Sequence, residues 1–139
     1  RIANGLASPT GMVWSQDAST LFVSETGQNR IVSLDLDDAG ENLENQQTLA
    51  NFENGTPGAL MFDSQGSLYV AVQGVGIVIL DDAGDVVETL EIGSGRLAGM
   101  AFGGLEYDDL YVADTEEGKV YCCHREVSGQ RPFAGPRSV

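Results

Sequence analysis

Short apolar runs with a two-residue alternation follow one another along the chain, separated by turns rich in Gly and Asp. One phrase occurs three times: a small-residue turn, an apolar strand that ends in an aromatic residue, a second turn, and a strand that begins Leu-aromatic-Val. The copies begin at Pro9, Pro57 and Ala98, a period of roughly 45 residues that is typical of repeat folds. No stretch sustains a 3.6-residue apolar period, so the pattern predicts an all-β chain.

Two further strands are predicted after each copy of the phrase. The third strand of each unit is apolar, and the fourth is more polar, near 46–52, 86–92 and 129–133. Four short antiparallel strands per repeat are typical of a β-propeller blade. The sequence therefore predicts a single partial propeller domain over 1–139, with blades at approximately 8–52, 53–94 and 95–135.

Three four-stranded blades are about half of a six-bladed ring and cannot close one, because propellers usually have 4–8 blades. Each blade buries its faces against two neighbours, so an arc of three would leave two apolar faces open. Two interpretations follow. Two copies form a homo-oligomer, a dimer that completes six blades, or the remainder of a longer chain supplies the missing blades.

The charge balance of the chain mainly excludes negatively charged partners. Asp and Glu number 21 against 7 Lys and Arg, a formal charge of −14, which is unsuited to nucleic acid or anionic membranes. No apolar run reaches the roughly 18–20 residues of a membrane span, and no signal segment is visible. The two cysteines, Cys122 and Cys123, are adjacent and should point to opposite faces of a strand. They provide no disulfide framework, which slightly favours a reducing, cytoplasmic location.

Two carboxylates occupy matching positions at the end of the second strand of blades one and three. Because the second strand returns to the end where the first begins, Glu25 and Asp114 should lie at a common channel mouth. They could serve as paired catalytic carboxylates for acid–base chemistry or bind a cation in a completed ring. The alternative is that both are solvated strand ends, with Arg30 or Lys119 as a nearby charge partner.

Aromatic residues recur at the end of the first strand of each unit, at Trp14, Phe62 and Phe102. We expect all three to fill the core between blades.

Three segments resemble consecutive blades of the senescence-marker-protein/gluconolactonase/luciferin-regenerating-enzyme family, which is related to the strictosidine-synthase-like propellers. They are SPTGMVWSQDASTLFVSETGQNRIVSLDL, TPGALMFDSQGSLYVAV and GRLAGMAFGGLEYDDLYVAD. The similarity runs from about Gly5 to His124 and follows the order of the family's later blades. It implies a six-bladed propeller with a divalent cation such as calcium at the channel mouth. Many members hydrolyse sugar lactones.

The family's metal is typically held by a Glu of the first blade, the Asn of a P-N-G motif and the Asp of a P-D-G motif. The Asn of a T-N-x-A-F-G-G motif also lines the mouth. At the last three of these positions this chain has Thr10, Gly58 and Gly99, and the first-blade Glu has no counterpart. Calcium takes six to eight oxygen ligands, with carboxylates supplying the charge. We therefore predict a degraded metal site and assign no metal ligand.

Two functions remain open at this point. The first is a non-catalytic binding or assembly module that keeps the propeller scaffold. The alternative is a divergent metal-dependent lactone hydrolase that acts on sugar lactones or similar esters through the mouth residues.

Overall fold

The computed structural model describes residues 3–131 and contains three antiparallel sheets. Sheet 1 contains β1 (Pro9–Trp14), β2 (Thr20–Glu25), β3 (Arg30–Leu36) and β4 (Leu43–Asn51), with a 3-10 turn at Thr26–Gln28. Sheet 2 contains β5 (Thr56–Phe62), β6 (Leu68–Gln73), β7 (Gly76–Leu80) and β8 (Val86–Leu90). Sheet 3 contains β9 (Leu97–Gly103), β10 (Asp109–Asp114) and β11 (Lys119–His124). Over this part of the chain, no helix is long and apolar enough to cross a membrane.

Each sheet is a meander in which consecutive strands pair, so the all-β blade prediction is confirmed. The first strands β1, β5 and β9 lie on the inner edge of their sheets. The backbones of β1 and β5 approach so closely that a Cβ on Gly11 would lie 2.1 Å from the carbonyl oxygen of Gly58. Ser24 donates a hydrogen bond from Oγ to the same oxygen at 2.6 Å. Glycine at position 11 therefore permits sheets 1 and 2 to approach each other closely at their first strands.

The core consists of apolar layers between neighbouring sheets. Strand β6 shows the principle, because alternate residues face opposite sides of a strand. Leu68, Val70 and Val72 pack in the layer shared with sheet 1, whereas Tyr69 and Ala71 pack in the layer shared with sheet 3. Sheet 2 is covered on both faces, which explains why its two central strands read as continuous apolar runs rather than as alternating ones.

The prediction that all three recurring aromatic residues fill the core is wrong for Trp14. Phe102 is buried beneath Tyr69, and Phe62 packs edge-on against Phe22 with ring centroids 5.1 Å apart. Trp14 is 36% exposed. The repeat position faces the preceding sheet: Phe62 faces sheet 1 and Phe102 faces sheet 2. No sheet precedes sheet 1 within residues 3–131, so Trp14 has no layer to enter.

The fourth strand predicted for the third blade, near 129–133, is not found among the described residues, and 132–139 lie outside them. Sheet 3 has three strands, and Gly129 instead forms an isolated bridge with Asp63. Gln130 donates its backbone N–H to Phe62 O at 3.0 Å and its side-chain amide to Trp14 O at 3.1 Å. The segment thus runs beneath sheets 2 and 1, where unpaired carbonyls at the ends of β1 and β5 accept its hydrogen bonds.

The two adjacent cysteines point to opposite faces of β11, as the strand geometry predicts. Cys122 is exposed on the outer face of sheet 3, while Cys123 is half-buried against the layer shared with sheet 2, and both thiols are free.

Candidate functional site: the axial groove

An open groove of about 660 Å³ lies where the first strands of the three sheets come together. We call it the axial groove. Residues from all three inner strands and from the ends of neighbouring strands line it: Thr10, Gly11, Met12, Thr26, Thr56, Pro57, Gly58, Ala59, Leu60, Gln73, Leu97 and Ala98. Thr10 and Gly58 line the groove, whereas the lining of β9 comes from Leu97 and Ala98 rather than from Gly99.

The strand pairing explains this meeting point. Pro9 pairs with Glu25, Thr56 with Gln73, and Leu97 with Asp114, so the start of each first strand adjoins the end of each second strand. A β-bulge interrupts the ladder directly beside the first and third of these pairs, and one pair further along, after Pro57–Val72, in sheet 2. Bulges re-aim side chains and are over-represented next to binding sites. The starts of the first strands therefore lie beside the ends of the second strands in all three sheets.

The polar groups of the axial groove are neutral. The hydroxyl oxygens of Thr10 and Thr26 lie 2.6 Å apart, and Thr26 Oγ1 donates to Pro57 O at 2.8 Å. Thr56 adds a hydroxyl and Gln73 an amide. Sequence reasoning missed Thr26, which immediately follows Glu25 and joins sheet 1 to sheet 2 through its hydroxyl.

A hard divalent cation does not fit this donor set. Calcium sites draw their charge from carboxylates among six to eight oxygens, and the residues that line the axial groove include no carboxylate. Thr10 contributes one neutral hydroxyl, and Gly58 contributes only backbone, whose carbonyl already accepts from Ser24. Within residues 3–131, the groove by itself therefore offers hydrogen bonds to a neutral polar ligand rather than a cation site.

Glu25 does not line the groove, and its carboxylate is bound by Ala7 and Arg30 instead. Its side chain is only 1% exposed. One carboxylate oxygen accepts the backbone N–H of Ala7 at 3.0 Å, and the other accepts Nε of Arg30. The Arg30 hydrogen bond is the main cause that holds the pKa of Glu25 below its usual value, against the opposing effect of burial. Glu25 thus fastens the segment before β1 to sheet 1, with the predicted Arg30 as its charge partner.

Asp114 has an equivalent role in sheet 3. It is 3% exposed, and its carboxylate accepts backbone N–H groups of Ser94, Glu116 and Glu117 at 2.6, 2.9 and 2.8 Å, together with the Ser94 hydroxyl. These hydrogen bonds, led by that of Glu117, lower the pKa of Asp114. Lys119, the charge partner considered for it, contacts Glu117 instead, at 3.4 Å.

The two carboxylates are buried strand ends rather than solvated ones, and the hydrogen bonds they accept come from different segments. Neither belongs to the groove lining. A general base near neutral pH needs a pKa near the working pH and a free lone pair that faces the substrate. Glu25 and Asp114 have lowered pKa values and oxygens that already accept hydrogen bonds, so their geometry is that of structural anchors.

Three adjacent antiparallel sheets with their first strands around an axial groove define a segment of a β-propeller. A family model described as the SMP-30/Gluconolactonase/LRE-like region matches residues 1–126. The chain belongs to this family, as the resemblance of its blade motifs predicts.

Individual relatives agree with this assignment. Regucalcin of Xenopus laevis is 29% identical over 112 residues, which covers 78% of this chain and 38% of the relative. A luciferin-regenerating enzyme structure matches with a TM-score of 0.78 and 25% identity, covering 92% of this chain and 50% of that one. A gluconolactonase from Xanthomonas campestris matches with a TM-score of 0.70 and 25% identity, covering 82% and 37%. The chain thus spans half or less of the length of these proteins.

Proposed function

We propose that this chain is a non-catalytic binding or assembly segment of a gluconolactonase-like propeller, whose open sheet faces pack against further blades. Those blades would come from a second copy of the chain or from the remainder of a longer one. The observation that carries the proposal is the axial groove, which is built on the family scaffold but is lined by neutral hydroxyl, amide and backbone groups.

The exposed face of sheet 3 supports the assembly role. Residues that pair across the strands lie on one face, and Ala101, Tyr111 and Cys122 form such a row. Tyr111 is 39% exposed and Val120 is 71% exposed, and Ala101 and Cys122 are exposed beside them. The equivalent faces of sheets 1 and 2 are covered by the next sheet. An apolar face of this kind in a propeller fits a further blade.

The first sheet presents a second open surface. Met12 is 72% exposed and Trp14 is 36% exposed on the face that points away from sheet 2, and Leu6 and Leu43 cover the rest of that face. In a closed ring the open face of sheet 3 in one copy would pack against the open face of sheet 1 in the other. Two three-bladed arcs could therefore complete six blades by an isologous arrangement.

Light scattering coupled to size-exclusion chromatography tests the assembly step. If two copies complete the ring, the mass should be twice 14.7 kDa at high concentration and should fall on dilution. Val120→Asp should shift the equilibrium to the monomer, because it places a charge in the apolar contact. Val87→Asp is the matched control, since Val87 is 58% exposed on the outermost strand of sheet 2. A monomer at every concentration would refute self-assembly and leave further blades of a longer chain as the partner.

The family membership favours one alternative function, a divergent metal-dependent hydrolase of sugar lactones or similar esters. The test is hydrolysis of a sugar lactone with and without added Ca²⁺ or Mn²⁺, measured as proton release. Turnover above the spontaneous rate that depends on the cation and falls in Thr10→Ala or Gln73→Ala would refute the non-catalytic proposal. Spontaneous rates under every condition would support it.

A further inference from the structure

A second polar cluster lies at the end of sheet 3 that is opposite to the axial groove. Asp109 begins β10 and pairs with His124, the last residue of β11, whereas the groove end of the same sheet is marked by the Asp114–Leu97 pair. Asp108 precedes β10, and its carbonyl oxygen accepts the backbone N–H of Arg125 at 2.8 Å. Regular backbone pairing therefore fixes three side chains from two strands side by side.

The imidazole of His124 lies between two carboxylates. Its Nδ1 is 3.0 Å from an oxygen of Asp109, and its Nε2 is 3.8 Å from an oxygen of Asp108. One ligand atom from each residue can be chosen so that all three lie within 4.8 Å of one another.

One ligand atom from each of the three side chains lies close enough to the others for a small divalent ion to be reached by side-chain rotation. Bonds of roughly 2.0–2.2 Å to nitrogen and oxygen place two ligand atoms about 3 Å apart at a right angle and about 4.2 Å apart when opposite. Because the two carboxylates face different nitrogens of the ring, and one ion binds only one of these nitrogens, one carboxylate must rotate toward the nitrogen that binds the ion. The side chains of Asp108, Asp109 and His124 are 24%, 31% and 66% exposed, so they can rotate and water can complete the shell.

The donor chemistry selects the class of ion. An imidazole with carboxylates suits zinc and its neighbours in the first transition row, whereas magnesium and calcium prefer all-oxygen shells. The basic residues nearby do not compete, since Arg125 binds Glu88 through two hydrogen bonds of 3.1 and 2.6 Å.

We propose that Asp108, Asp109 and His124 form a binding site for a divalent transition-metal ion such as Zn²⁺, remote from the axial groove. Bound metal would join the start of β10 to the end of β11 and stabilise that corner of sheet 3. The proposal does not depend on whether the groove is catalytic, but it applies to the chain with this face of sheet 3 uncovered, because His124 shares the face with Val120 and Cys122.

The unique histidine makes the test direct. The chain has one His, so the imidazole ¹⁵N signals in an NMR spectrum belong to His124 alone. Adding ZnCl₂ at about pH 8, where protons compete less for the ligands, should shift the ring nitrogen signals until one equivalent has been added. MgCl₂ at the same concentration should leave them unchanged. Zinc that binds without moving these signals would overturn the proposal.

Affinity measurements with substituted chains separate this site from others. Competition with a chromophoric chelator should show zinc affinity falling at least about tenfold in His124→Gln and in Asp108→Asn, since even outer-shell changes cost 10–100-fold. Asp82→Asn, at an exposed turn aspartate with no histidine beside it, should bind as the unaltered chain does. Cys122→Ser/Cys123→Ser should also retain affinity. Loss only in the cysteine variant, or equal affinity in His124→Gln, would place the metal elsewhere and refute the site.

Discussion

The Glu25–Arg30 pair offers a direct test of whether the first mouth carboxylate is structural. Glu25 is 1% exposed and Arg30 is 31% exposed, and Glu25 also accepts the Ala7 N–H. A hydrogen bond to a charged group contributes about 1.5–3 kcal/mol, and breaking a fully buried ion pair costs about 3–5 kcal/mol. Glu25→Gln keeps one acceptor oxygen, and Arg30 can reach solvent. We therefore expect a loss of about 2 kcal/mol in the free energy of unfolding at pH 7.

Urea unfolding followed by tryptophan fluorescence measures this loss, because Trp14 is the only tryptophan. Arg30→Gln should cost at least as much as Glu25→Gln, since it leaves a buried carboxylate without its cation. The double variant should be less destabilised than the sum, with a coupling energy of about 1 kcal/mol or more. Glu116→Gln is the matched control: this exposed Glu lies 3.5 Å from Arg96, and its loss should stay within about 0.5 kcal/mol.

The pH dependence gives an independent measure of the same pair. The folded state lowers the pKa of Glu25 below its ordinary 4.5, so the carboxylate contributes stability above that pH. This contribution is lost as the pH falls from 4.5 through the lowered value. The stability difference between the unaltered chain and Glu25→Gln should therefore shrink in acid. A stability difference of zero at pH 7 would show that Glu25 is solvated, and a difference that persists unchanged in acid would show that its ionised form does not supply the stability. Either result would refute the anchoring role.

Two other comparisons test how the sheets meet. Gly11→Ala should lower the free energy of unfolding by about 1–3 kcal/mol through overpacking, because its Cβ would collide with Gly58 O. Gly99→Ala is the control and should be neutral in the same thermal melts, since no atom lies within 4 Å of its added Cβ. Equal effects of the two substitutions would contradict the close approach of β1 and β5. Arg125→Ala should destabilise more than Glu88→Gln, because the guanidinium is 16% exposed and Glu88 is 45% exposed. The Glu88→Gln effect should stay below about 1 kcal/mol and diminish in high salt, and an effect as large as that of Arg125→Ala would contradict this reasoning.

The repeat determined the architecture from the sequence alone. Side-chain direction alternates along a strand, so the recurring Leu-aromatic-Val phrase is enough to predict paired strands and the meeting of first-strand starts with second-strand ends. Leu21, Leu68 and Leu110 all lie buried at corresponding positions. The sequence alone also showed that positions 10 and 58 carry Thr and Gly rather than a carboxylate, because the metal ligands of a motif depend only on which residue occupies each position.

Only the tertiary structure decided which groups surround each residue and whether its side chain is buried. Trp14 has the same repeat position as Phe62 and Phe102, yet it is exposed because burial depends on a neighbouring sheet that the repeat position alone does not supply. The segment around Gly129 bridges Asp63 instead of forming a fourth strand of sheet 3, because Gln130 N–H reaches Phe62 O and Ser64 N–H reaches Ser128 O.

The candidate site follows the same division. The sequence determined that Glu25 and Asp114 stand at strand ends, because that depends on local periodicity. Only the fold showed that the Glu25 carboxylate accepts hydrogen bonds from Ala7 and Arg30. It also showed that the Asp114 carboxylate accepts them from Ser94 and from residues 116–117. Likewise, the pairing of β10 with β11 brings Asp109 beside His124 across 15 residues of chain. Hydrogen bonds and ion pairs act over a few ångströms, so they are set by which segments meet and not by the pattern along any one of them.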